Sequence, residues 1–184
     1  MEKDVLQILT EDHAILGWFA QRLAASKAGR SRSVLFNEFA RSLGAHQTVV
    51  DQTIVPALKR CGWRGLSSDV LTGHLALKRQ LAETLTLRTS TAFDEAIPRL
   101  IARSVQQCVL EQDKLMPLLH QYLDDDQREA LAAEAEQHLT RLLGEGRHLP
   151  EDSGLTPQAN DLVEEAYLVL SSLPADDELT RMPH

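Results

Sequence analysis

HQTVVDQTIVP at residues 46–56 and QCVLEQDKLMP at residues 107–117 decide the fold, because they are two versions of one pattern. Each opens on a polar side chain, crosses a run of apolar positions and closes on a proline, Pro56 or Pro117, at the same interval. The match extends outward at a constant offset of 61 residues, pairing Val5 with Leu66, Leu9 with Val70, Leu16 with Leu77, Val49 with Leu110, Ile54 with Leu115 and Leu58 with Leu119. His13 precedes His46 by the 33 residues that also separate His74 from Gln107. A repeat of this length is one helical hairpin, and two hairpins with a histidine on their helices point to an all-α bundle around a shared interior site.

Composition narrows what such a bundle does. The chain has 184 residues, 43% of them hydrophobic and 4% aromatic, enough for one substantial core and biased toward helix. Its formal charge of −8 repels phosphate backbones, and no basic stripe offsets it, so nucleic acid is not an expected partner. No apolar run approaches the roughly 20 residues that span a bilayer, and residues 1–20 lack the pattern of a signal peptide, so the expectation is a cytoplasmic protein without a membrane partner. Cys61 and Cys108 have no CxxC spacing and read as reduced structural thiols.

Apolar periodicity predicts four long helices over 3–28, 34–61, 67–88 and 93–123. The segment 30–33 reads as the approach to the second helix, Ser67 or Ser68 as the cap of the third, and Pro98 and Pro117 as kinks in the fourth. Asp124, Asp125 and Asp126 can cap a fifth helix over 127–143 that ends at Gly144. A linker over 147–157 and a last helix over 158–173 follow. Two parts are therefore expected: a bundle at 1–123 and a helical extension at 124–184 that covers it or recognises a protein partner.

His13 and His74 lie on or beside apolar stripes, where a single histidine is more often a satisfied core residue than a ligand. Their neighbours change the weighing. His46 shares its helix with Asp51, and Gln107 shares its helix with Glu111 four residues on, so imidazoles and carboxylates from facing helices can converge. Imidazole plus carboxylate in a bundle is the ligand set of a non-haem iron or manganese site, with zinc also compatible.

In this order the residues resemble the hemerythrin-like (HHE cation-binding) domain over roughly residues 3–123. Asp12-His13-Ala14-Ile15-Leu16 is similar to the first-helix motif, the 46–56 segment to the second, Gly73-His74 to the third and the 107–117 segment to the fourth. The resemblance implies an antiparallel up-down four-helix bundle and a non-haem di-iron centre that binds a small diatomic ligand such as oxygen or nitric oxide; departures from the family pattern open a mononuclear iron site as well. It assigns the ligands to His13, His46, Asp51, His74 and Glu111.

The pattern also departs from the family. Val50 stands where a carboxylate is usual, with Asp51 one residue late; Gln107 stands where a histidine is usual, and Lys78 occupies another position that is often histidine. Five ligands remain, enough for one metal or an asymmetric pair. The alternative is a metal-free bundle that keeps the former ligands as a buried polar network, in which Lys78 or Gln107 satisfies the Glu111 carboxylate. Three functions follow: a non-catalytic metal-binding or sensing protein, first; a metal-free interaction module, second; and a di-iron or mononuclear oxidoreductase, last, since no substrate pocket is legible. No nucleophile triad, phosphate loop or zinc ribbon is present.

Overall fold

The structure, a computed structural model, describes residues 3–88 and 91–144, and these are all-helical. Helix α1 spans Val5–Ala25 and starts from a reciprocal cap: Leu6 N–H donates to Asp4 Oδ1 at 2.8 Å, and Asp4 N–H donates to Gln7 Oε1 at 3.2 Å. Helix α2 is continuous through Arg30–Val49, a π turn at Val50–Ile54 and Val55–Arg60. It begins earlier than expected, since Ser33 N–H closes a first turn onto Gly29 O at 3.1 Å, so the segment 30–33 is helix. Helix α3 spans Arg64–Thr86, and α4 runs through Ala92–Leu110, a π turn at Glu111–Leu115 and Met116–Tyr122. Helix α5 spans Asp125–Leu143.

The repeat extends to the backbone. The two π turns lie at equivalent positions, with Val55 N–H bonded to Val50 O and Met116 N–H bonded to Glu111 O. Pro56 and Pro117 each follow their π turn as the second residue of the next α-helical segment. A proline has no amide hydrogen and crowds the carbonyl four residues back; a widened turn just before it lets the helix continue. The kink expected at Pro117 therefore takes the form of a π turn, while α4 passes through Pro98 as α-helix.

Between α2 and α3 the chain turns at Gly62, whose φ of +89° suits glycine. Trp63 N–H donates to Leu58 O at 2.9 Å and Gly62 N–H to Lys59 O at 3.1 Å, closing α2 and launching α3 from Trp63. Neither Ser67 nor Ser68 caps α3; Ser67 Oγ instead donates back to Trp63 O at 2.7 Å from inside the helix. Trp63 stacks edge-on against Tyr122 at that corner. The acidic run does cap α5 as expected, with Gln127 N–H donating to Asp124 Oδ1 at 2.8 Å.

Burial divides the interior into two apolar clusters. One holds Val5, Leu9, Val50, Ile54, Val70, Leu115 and Leu119; the other holds Leu16, Leu23, Phe36, Phe39, Leu77, Leu100 and Ile101. The chain crosses from the first cluster to the second along α1, returns along α2, crosses again along α3 and returns along α4. Successive helices therefore run in opposite directions. Helix α5 packs on α1 and α2, and its Leu131, Ala132, Ala135 and Leu139 belong to the first cluster, so residues 125–143 share the bundle's core. Arg128 Nε fastens it by donating to Asp4 Oδ2 at 2.7 Å. The expected linker and last helix lie outside the described residues. Among the described residues no helix is long and apolar enough to cross a membrane.

Candidate metal centre

Between the two apolar clusters each of the four bundle helices contributes a polar residue at mid-length, and these form one buried layer. His13 comes from α1, His46 from α2, His74 from α3, and Gln107 and Glu111 from α4. Glu111 is completely buried and is the point on which the others converge. His13 Nε2 lies 3.1 Å and His46 Nε2 2.9 Å from Glu111 Oε2. His74 Nε2 lies 2.8 Å from Oε1, and Gln107 Nε2 donates to the same oxygen at 2.9 Å. A carboxylate buried among apolar walls needs such partners, since leaving it bare costs several kcal/mol.

The outer faces of two rings are also held. His46 Nδ1 is 3.3 Å from Asp12 Oδ2, and His74 Nδ1 is 2.6 Å from Asp51 Oδ1. Asp51 accepts on its other oxygen from Lys78 Nζ at 2.6 Å. With side-chain exposures of 17% for Asp51 and 44% for Lys78, this chain of contacts runs from solvent inward to Glu111. His13 Nδ1 is buried without a hydrogen-bond partner, so that ring is oriented by its Nε2 contact and by packing.

Electrostatics follow from this arrangement. Burial would raise the Glu111 pKa, but the charge of His46 and the hydrogen bonds from His13, His46 and His74 hold it well below the usual carboxylate range. Burial lowers the pKa of His13, against its hydrogen bond to Glu111. For His74 burial acts in the same direction, but the contacts with Asp51 and Glu111 outweigh it and raise the pKa. Asp51 is lowered, because its bonds to His74 and Lys78 overcome its partial burial. Cys108 is pushed well above the ordinary thiol value by burial and by the Glu111 charge, which keeps it protonated.

The sequence-predicted residues meet in this layer with one difference of role. His13, His46 and Glu111 each offer a ligand atom, and these atoms lie within 4.8 Å of one another, a group that could hold a metal ion. His74 adjoins it through the second oxygen of Glu111. Asp51, expected as a ligand, sits behind His74 on its Nδ1, because the extra residue between His46 and Asp51 turns the carboxylate away from the centre while Val50 fills the inward position. Gln107 takes the role expected of it in the metal-free alternative, donating to Glu111, whereas Lys78 reaches Asp51 and not Glu111.

Asp12 and Gly73 complete the layer; both stand in the sequence motifs, which give neither of them a role. Asp12 reaches a histidine on the neighbouring helix, a contact that no local spacing encodes. Gly73 lies where an added Cβ would stand 2.0 Å from Gln107 Oε1, so its bare backbone makes room for that amide. The only available signal was its adjacency to His74.

The donor set suits a first-row transition metal: imidazole nitrogens and a carboxylate oxygen, backed by carboxylates on the outer ring nitrogens. Asp12, Asp51 and Glu111 set three carboxylates against the one ammonium of Lys78. With neutral imidazoles these four groups carry two net negative charges, which either a dication or protonated histidines balance. No protein-family model matches the chain, and no curated protein matches it.

Proposed function

We propose that this chain is a hemerythrin-like metal-binding protein whose buried centre takes non-haem iron, and that it serves in binding or sensing and not in catalysis. The observation that carries the reading is the convergence of His13, His46 and His74, from three helices, on the single buried carboxylate of Glu111. Hydrophobic packing alone gives no reason to collect three imidazoles around a buried anion. Carboxylates behind His46 and His74 support it further, since metal-bound imidazoles commonly donate their second N–H to such a group. His13, His46 and Glu111 would hold the ion, and His74 would steady the carboxylate or join the coordination. A bound iron would supply an open position for a small diatomic ligand such as oxygen or nitric oxide. The protein's own part is to exclude water with the apolar clusters on either side and to fix the ring orientations.

A metal-free interaction module is the second reading, and it is favoured by the saturation of Glu111, whose two oxygens meet three imidazoles and an amide of the protein itself. In that case the layer is a structural network, and helix α5 offers the surface for a protein partner.

Metal content of protein purified without chelator, measured with its visible spectrum before and after anaerobic loading with ferrous iron, separates the two. The first reading predicts iron retained in fixed proportion to chain and lost on Glu111→Gln. Iron that never exceeds trace amounts after loading contradicts it and leaves the metal-free network.

A further inference from the structure

The two oxygens of Glu111 face unlike surroundings. Oε2 meets His13 and His46, whose ligand atoms form the compact group with it. Oε1 meets His74 and the amide nitrogen of Gln107. A centre with two ions needs ligands for the second beyond a shared carboxylate, and on the Oε1 side these are lacking. A carboxamide nitrogen offers hydrogens and no free lone pair. Turning the amide over would set its oxygen against the carboxylate oxygen, so the donor orientation is the one Glu111 enforces.

Gln107 is also confined from behind. Its Oε1 and Cδ would lie 2.0 Å and 3.0 Å from a Cβ at position 73, so the amide fills the space that a side chain there would take. Asp51, the carboxylate behind His74, is engaged at both oxygens, by His74 at 2.6 Å and by the Lys78 ammonium at 2.6 Å. A cation entering beside His74 would find one imidazole, a shared carboxylate oxygen and an ammonium beyond.

We propose that the centre is built for one metal ion, held by His13, His46 and Glu111, and that Gln107, seated against Gly73, closes the position a second ion would use. The inference rests on the reading of this layer as a metal site, and ion counting separates the two. Full-length protein is dialysed to equilibrium against ferrous iron under anaerobic conditions, and separately against zinc, and ions bound per chain are counted. One ion of either metal is expected. Gln107→His, which adds an imidazole beside Oε1, should bind two. Gln107→Glu, which keeps the side-chain length and adds a carboxylate, should also bind two and covers the case in which the histidine variant fails to fold. Two ions in the unaltered protein overturn the inference and leave the metal reading standing. No bound ion overturns both. One ion in the folded variants overturns the role given to Gln107.

Discussion

The two hairpins share a backbone device and use it differently. Both π turns precede a proline at the same place in the repeat, yet the first begins with Val50, buried in the apolar cluster, and the second with Glu111, buried in the polar layer. The first hairpin keeps its carboxylate one residue later, at Asp51, on the outer face of His74; the second places its carboxylate at the centre. One hairpin therefore supplies the anion and the other supplies a brace. The comparison teaches that a repeat preserves geometry more faithfully than chemistry, and that a one-residue displacement on a helix separates a central group from a peripheral one.

The largest test of this asymmetry removes the central anion. Glu111→Leu should abolish metal binding and destabilise the metal-free protein by about 3 kcal/mol, because the imidazoles around it lose their shared partner; denaturant unfolding of the two proteins measures it. Copying the second hairpin into the first comes next. Val50→Glu combined with Gln107→His should raise iron affinity at least tenfold over the parent in competition with a chelator. An unchanged affinity would show that positions 50 and 107 do not point at one centre. Disturbing the brace should matter less: Asp51→Asn, which reaches the ion only through His74 and Glu111, should lower metal affinity by less than the roughly 10-fold that losing a carboxylate behind a ligating histidine costs. Lys78→Met should have a smaller effect in the same assay, since its ammonium is partly solvated.

Acid provides a further comparison of the carboxylates. Glu111 and Asp51 have pKa values below their ordinary ones in the folded chain, so the unfolded chain binds more protons as pH falls. Their stabilisation is complete above the unfolded value of about 4 and is lost as pH falls through that value toward the folded one. The two histidines oppose each other near neutrality: lowered His13 favours stability above about 6.5, and raised His74 favours it below. Stability of the metal-free protein should therefore fall steeply below about pH 4, where no histidine contribution opposes the loss. In Glu111→Gln the acid limb should be shallower, which urea midpoints across pH would register.

Much of the fold was legible because helices and hairpins are local. The 61-residue offset carried the hairpins, and even the π turns follow it, although nothing in the pattern beyond the prolines marked them. The acidic cap of α5 was readable from Asp124, while the start of α2 was misplaced because Arg30–Ser33 resemble a linker in composition yet close a helical turn. In the site, His13, His46, His74 and Glu111 were readable from spacing. The placement of Asp51 was not, since a helical wheel fixes direction only approximately and Val50 won the inward position by packing. Asp12 and Gly73 depend on contacts between helices far apart in sequence, such as Asp12 with His46 and Gly73 with Gln107, and no single-helix pattern records those.

The central claim is that the convergence on Glu111 is a metal site. Crystals grown with a divalent transition metal, with anomalous scattering recorded at its absorption edge, test it most directly. The account predicts one strong peak in the buried layer, about 2.0–2.2 Å from His13 Nε2, His46 Nε2 and a Glu111 oxygen. A buried layer without a peak, with metal found only on exposed acidic residues, would contradict it.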